Sequence, residues 1–136
     1  MQKRKSILEH KKFILSVRHA CRGVGIAFRE EQNIRIHALC ALAVFALAAL
    51  VKVNGFEFIM LSISITLVLV IELVNSIVER FSDMVKPQVS HLIAAVKDMS
   101  AAAVLICSGN AVIVGSVIFF PRFFLFIQKI LFLGGG

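Results

Sequence analysis

Three long apolar runs occupy most of the chain after residue 34. They lie at about 34–53, 56–79 and 98–120, and a polar connection at 80–97 separates the last two. A helix that crosses a bilayer needs about 20 mainly apolar residues, and each run is long enough. The pattern therefore predicts an all-α membrane protein with three transmembrane helices.

The residues before the first span show a different periodicity. Apolar side chains recur at helical spacing over 13–30, and most of the basic side chains there fall off that stripe. This pattern is typical of an amphipathic helix lying on a membrane surface, and packing against a soluble partner is the alternative. We expect a basic tail at 1–12, a membrane domain at 13–122 and an aromatic interfacial tail at 123–136. Pro121 is expected to end the third span.

Composition supports this class of protein. Apolar residues make up 59% of the 136 residues, and the mean hydropathy is +0.91. The net charge of +7 does not indicate nucleic acid binding, because nine of the fifteen Lys and Arg residues lie at or before Arg35. Such clustering beside a span indicates contact with anionic lipid and a cytoplasmic N-terminus.

Polar residues at the end of the second span are the main candidates for chemistry. Glu72, Asn75, Ser76 and Glu79 share one face of a helix. The two carboxylates are separated by roughly 10 Å along the axis, so one would lie near the cytoplasmic surface and the other deeper. An ionisable residue inside a membrane span is costly and indicates a functional site.

The residue types at this level fit phosphoryl transfer to a lipid alcohol. Carboxylates suit Mg²⁺, Lys97 suits a phosphate, and Glu72 is placed to accept a proton from a hydroxyl that arrives from the bilayer. ATP with Mg²⁺ would reach Glu79 from water. The sequence contains no phosphate-binding P-loop motif, which excludes a P-loop kinase.

Structural roles remain open for the same residues. Glu72 could be a carboxylate hydrogen-bonded to a neighbouring helix, and Glu79 could be an interfacial charge paired with Arg80 or Lys86. Lys97 and Asp98 could be ordinary residues at a helix start, and Glu30 and Glu31 could belong to a solvated face. A non-catalytic helical membrane protein, such as an oligomeric channel or an assembly factor, is the alternative function.

Three segments resemble the bacterial integral-membrane diacylglycerol kinase and undecaprenol kinase family. They are Phe28-Arg29-Glu30-Glu31-Gln32-Asn33-Ile34-Arg35-Ile36-His37, Glu72-Leu73-Val74-Asn75-Ser76-Ile77-Val78-Glu79, and Lys97-Asp98-Met99. The resemblance implies a homotrimer in the bacterial cytoplasmic (inner) membrane that uses ATP and Mg²⁺. It also implies that Glu72 is the general base, that Glu79 binds the metal, and that Lys97 and Asp98 serve the nucleotide.

The resemblance also implies that Asn75 supports the site. We expect Ser76, Glu31 and Asn33 to support the site or contact the substrate as well. The chain departs from the diacylglycerol kinase branch at Gly25, where that branch has a second metal-binding Glu. Glu31 is our candidate for the missing ligand, with Glu30 second. Undecaprenol kinase-like members also tend to lack that Glu, which slightly favours the polyprenol branch without excluding diacylglycerol.

Overall fold

The computed structural model describes residues 2–85 and 91–133, with side-chain surroundings given for 12–85, 91–125 and 127–128. The described chain consists of four helices and contains no strand: α1 (Gln2–Glu30), α2 (Gln32–Leu50), α3 (Gly55–Val85) and α4 (His91–Leu133). The polar connection at 80–97 was also expected to contain a helix break at Pro87. Pro87 and Lys86, the alternative partner of Glu79, both lie outside the described residues.

The prediction of three spans is confirmed, because α2, α3 and α4 are each long and apolar enough to cross a membrane. A helix also covers the predicted surface segment at 13–30, but it begins at Gln2 and so includes most of the basic tail. Among its described side chains only Ala27 is buried. The position of α1 on the membrane surface stays a prediction.

The core of the molecule is the long antiparallel contact between α3 and α4, which is the most extensive packing among the described elements. From Leu61 to Asn75 the buried residues of α3 recur every three or four positions, so one face is directed at its neighbour. In order along α3 they are Leu61, Ser64, Val68, Glu72, Asn75, Ser76 and Ser82. Near the α2–α3 turn, Leu61 packs with Ala48 of α2 and Ile118 of α4.

The turn between α2 and α3 uses two standard helix caps. Lys52 adopts the left-handed conformation with φ of 53°, and the N–H groups of Lys52 and Val53 donate to the carbonyls of Ala49 and Ala48. This is a Schellman motif with Lys at the position that usually holds Gly. Asn54 and Glu57 then form a capping box. Each side chain accepts the other's backbone N–H, at 2.9 and 2.8 Å.

Pro121 does not end α4, which continues as far as Leu133. Proline has no N–H to offer the Val117 carbonyl, so one helical hydrogen bond is missing there. The next carbonyl, that of Ile118, accepts a hydrogen bond from Arg122 Nη1 at 2.7 Å. The guanidinium group also forms two hydrogen bonds to Glu57, at 2.6 and 3.1 Å, which joins α4 to the start of α3.

Candidate functional site

The polar stripe predicted on α3 is present and faces into the protein. Glu72 is 2% exposed, and Asn75 and Ser76 are each 5% exposed. Glu79, one turn further along, is half-buried. Val74 and Ile77, between the polar positions, are exposed. The deeper carboxylate therefore does not face acyl chains but lies inside the helical packing.

A short chain of hydrogen bonds links the stripe to α4. Ser100 Oγ lies 2.7 Å from Asn75 Oδ1, and Asn75 Nδ2 donates to Glu79 Oε1 at 3.3 Å. This arrangement fixes the orientation of the Asn75 amide, since the flipped group would place its oxygen against a carboxylate. Ser100 Oγ also lies 2.9 Å from the Lys97 carbonyl. Asn75 therefore holds Glu79 in a defined position relative to α4.

Glu72 differs from Glu79 because no described side chain donates a hydrogen bond to its carboxylate. Counting one turn from the contact between Asn75 and Ser100 places Glu72 level with the small residue Ala103 on the antiparallel helix. Ser76 does not serve the Glu72 carboxylate, because its hydroxyl bonds the Glu72 backbone carbonyl at 3.0 Å. Among the described residues, no side chain therefore forms a hydrogen bond with the Glu72 carboxylate, although Glu72 is only 2% exposed.

Glu31 occupies the corner between the first two helices. It is the one residue between α1 and α2, and its extended backbone (φ −103°, ψ 118°) turns the chain there. Its Oε1 accepts two hydrogen bonds from Arg80, at 2.6 Å from Nη2 and 3.0 Å from Nε. Arg80 Nη1 also contacts Glu30 at 2.6 Å. Arg80 therefore joins the corner to α3. No described group donates a hydrogen bond to Oε2 of Glu31, so this oxygen could hold a metal.

Lys97 and Asp98 lie at the same end of the bundle. Lys97 Nζ is 3.3 Å from Asp83 Oδ1, and its side chain is about one-third exposed. Asp98 is exposed, as is Asn33 in the first turn of α2. Lys97 is thus positioned beside Ser100 with an ammonium group that solvent can reach, whereas Asn33 makes no described side-chain contact with the stripe.

A cleft of about 380 Å³ opens between α1 and α3. Its wall is mainly apolar, with Gly23, Val24 and Ile77 among its lining residues, and Glu31, Ser76 and Arg80 supply polar atoms. Its volume falls within the range of ordinary ligand pockets. The cleft therefore borders the polar stripe from the side of the surface helix.

The described residues contain no group of three or more His, Cys, Asp or Glu side chains that could hold a metal ion. A site for Mg²⁺ does not require such a group, because this ion usually keeps several waters and binds one or two carboxylates together with substrate phosphates. Glu79 fits that role, since Oε1 is held by Asn75 and no described group donates to Oε2.

Sequence reasoning missed Ser100 and the partner of Glu31. Ser100 lies three residues after Lys97, so a polar residue on the same face one turn later was the available signal. Arg80 was one of two partners named in the alternative role for Glu79, whereas its described partners are Glu30 and Glu31. The ion pair between Asp83 and Lys97 also had no signal in the sequence.

The fold and the site together define a helical membrane protein with a buried carboxylate at one end of its bundle. The family model for prokaryotic diacylglycerol kinase matches residues 18–119. The chain belongs to that family, as the sequence motifs predicted.

Curated relatives agree with this membership. The chain is 35% identical over 109 residues to a diacylglycerol kinase of Synechocystis sp., covering 79% of this chain and 62% of the relative's length. It is 32% identical over 114 residues to the undecaprenol kinase of Bacillus subtilis, covering 84% of this chain and 93% of the relative. A diacylglycerol kinase of Escherichia coli is 27% identical over 112 residues, or 82% of this chain and 92% of the relative.

Proposed function

We propose that this protein transfers the γ-phosphoryl group of ATP to the hydroxyl group of a membrane lipid. The observation that carries the proposal is the position of Glu72, a 2% exposed carboxylate on the face of α3 that packs against α4. Relatives named diacylglycerol kinase and undecaprenol kinase give the reaction class.

Glu72 is the proposed general base. A carboxylate with no described hydrogen-bond donor has lone pairs free to accept a proton from a substrate hydroxyl. Its depth suits a lipid alcohol, because the hydroxyl can reach it without leaving the bilayer. The proton moves to a Glu72 carboxylate oxygen as the hydroxyl oxygen attacks the γ-phosphorus and the bond to the ADP oxygen breaks.

Glu79 is the proposed ligand for Mg²⁺, with Asn75 as the residue that orients it. The ion would supply charge neutralisation for the phosphates, which is the main requirement of phosphoryl transfer. Glu31 is the proposed further ligand for Mg²⁺ beside Glu79, through its Oε2 atom. Lys97 would contact a phosphate as a point charge, and Asp98 would serve the nucleotide from its exposed position.

The cleft between α1 and α3 is the proposed route for the lipid. Its apolar wall suits an acyl or prenyl chain, and its polar side chains lie beside Ser76 on the stripe. We also propose that the protein works as a homotrimer in the bacterial cytoplasmic membrane with its N-terminus inside, as the basic N-terminal segment favours.

An assay on the purified, reconstituted protein tests the reaction and the lipid together. Vesicles carrying either diacylglycerol or undecaprenol are supplied with Mg²⁺ and γ-labelled ATP, and label transferred to lipid is measured. We expect transfer to at least one of the two lipids. A channel or an assembly factor would transfer label to neither.

Substitution of the proposed metal ligand tests the site. Glu79→Gln keeps the size of the side chain and removes its charge, so the KM for Mg·ATP should rise. Glu57→Gln is the matched control, since Glu57 lies at the opposite end of α3 in an ion pair with Arg122. Nucleotide titrations of Glu79→Gln that match those of the control would refute the assignment.

A further inference from the structure

The last part of α4 lies beyond the family match, which ends at residue 119. It begins after Arg122 and continues as helix to Leu133. Its described side chains are mostly large, apolar and exposed: Phe123 is 63% exposed, Phe124 54%, Leu125 63% and Ile127 38%. From Phe123 to Leu133 the sequence carries a single charge, Lys129.

The ion pair between Arg122 and Glu57 shows where this segment leaves the bundle. Glu57 lies in the first turn of α3, directly after the turn that joins it to α2. Arg122 is therefore level with the start of a membrane span, at the face of the bilayer that carries the α2–α3 turn. Residues 123–133 extend past that level by roughly 16 Å if the helix stays straight.

A straight α4 cannot be accommodated within the bilayer. Its 43 residues rise roughly 65 Å, and the whole bilayer with its headgroups is about 40–45 Å thick. Spanning helices tilt by up to about 40°, which would still leave a rise of roughly 50 Å. A straight helix would thus place the exposed side chains of Phe123, Phe124 and Leu125 in water.

A helix kink at Pro121 would keep these side chains out of water. The proline removes the hydrogen bond to the Val117 carbonyl, and most sharp helix kinks occur at such positions. Arg122, immediately after it, is held to Glu57 by two hydrogen bonds, so the span would stay fixed if the following helix changed direction. The bend would lie at the membrane surface itself.

We propose that residues 123–133 lie in the interface of the same bilayer, on the side of the α2–α3 turn, as a helix that diverges from the span at Pro121. The partner is the lipid surface, because the segment continues the apolar, lipid-facing exterior of α4 without a polar break longer than two residues. This anchor is independent of the kinase reaction.

A single tryptophan tests the proposal, since the protein contains no Trp and no Tyr. Phe124→Trp would be reconstituted as the full chain in phosphatidylcholine vesicles. Quenching would be compared between lipids brominated near the carbonyl end and near the methyl end of the acyl chain. Ile106→Trp is the matched control, because Ile106 is 72% exposed and lies deep in the span.

The proposal expects quenching of Phe124→Trp to be at least twofold stronger with the shallow bromines, and the reverse order for Ile106→Trp. Stronger quenching of Phe124→Trp by the deep bromines would overturn it by placing the segment in the hydrocarbon core. Quenching by aqueous iodide with no effect of either lipid would overturn it by placing the segment in water. Protection from all three quenchers would overturn it by showing that the segment packs against protein, such as a second copy of the chain.

Discussion

Removal of the Ser100 hydroxyl tests the hydrogen-bonded chain that orders the proposed site. In Ser100→Ala, Asn75 Oδ1 loses its partner at 2.7 Å, and Asn75 is only 5% exposed. An unsatisfied buried acceptor costs about 1–3 kcal/mol, and part of this is recovered when the amide rotates. Rotation of the Asn75 amide removes the hydrogen bond from Nδ2 to Glu79. Glu79, the residue proposed to bind Mg·ATP, is then no longer held in position.

We expect the KM for Mg·ATP to rise about 5- to 30-fold in Ser100→Ala, which corresponds to 1–2 kcal/mol. The measurement is the initial rate of lipid phosphorylation across a titration of Mg·ATP at saturating lipid. Ser62→Ala is the matched control, because Ser62 Oγ bonds only the carbonyl of Phe58 in its own helix, at 2.8 Å.

A double variant separates orientation of Glu79 from a general loss of stability. If Ser100 acts through Asn75, adding Ser100→Ala to Asn75→Ala should cause little further change, since both remove the same interaction. A KM for Ser100→Ala equal to that of Ser62→Ala, or fully additive effects in the double variant, would refute the reasoning.

Three further predictions concern the corners of the bundle. Lys52→Gly should stabilise the protein by about 0.5–1 kcal/mol, because Gly adopts the left-handed conformation without steric cost, and a thermal melt in detergent that does not rise would contradict this. Asn54→Ala should cost about 1 kcal/mol in the same melt through loss of the capping box, and Asn54→Ser should recover most of it; equal losses in both variants would count against the cap. Arg80→Lys should speed amide hydrogen exchange at Glu31, because a single ammonium cannot replace the guanidinium fork, and unchanged exchange would show that the corner is held by other contacts.

The spans and the polar stripe could be predicted from the sequence because both depend on periodicity. A run of about 20 apolar residues predicts a spanning helix, and Glu72 and Glu79, seven residues apart, must share a face. The structure adds that this face is directed at α4 rather than at lipid. The family motifs predicted membership, which the family match confirmed.

A break between 30 and 34 was predicted, and the structure has one at Glu31. The contacts that hold the corners could not be predicted, because their causes are not local. No Gly or Pro marks the break at Glu31, and the corner is held by Arg80, 49 residues away. Pro121 was expected to end its span, but the helix continues to Leu133. The proline frees only the Val117 carbonyl. Arg122, directly after it, is held by Glu57, 65 residues away in the sequence.

The ion-pair partners of Arg80 also could not be predicted from the sequence. Arg80 directly follows Glu79 in the sequence, and an ion pair between them was one alternative role for Glu79. Adjacent positions on a helix point in directions about 100° apart, so Arg80 is directed at the corner between α1 and α2 and Glu79 at Asn75. Which acids a helical arginine contacts depends on the neighbouring helices, and those are fixed only by tertiary packing.

The most direct test of the account is the turnover of Glu72→Gln in the lipid phosphorylation assay. The amide keeps the size of the side chain but cannot accept the substrate proton as a base, so the rate should fall by roughly 10²–10⁴-fold. Ser64→Ala, a buried polar position two turns earlier on the same face, should retain activity, and helix content should be unchanged in both variants. A folded Glu72→Gln protein that phosphorylates lipid within tenfold of the wild-type rate would contradict the claim that this buried carboxylate is the catalytic base.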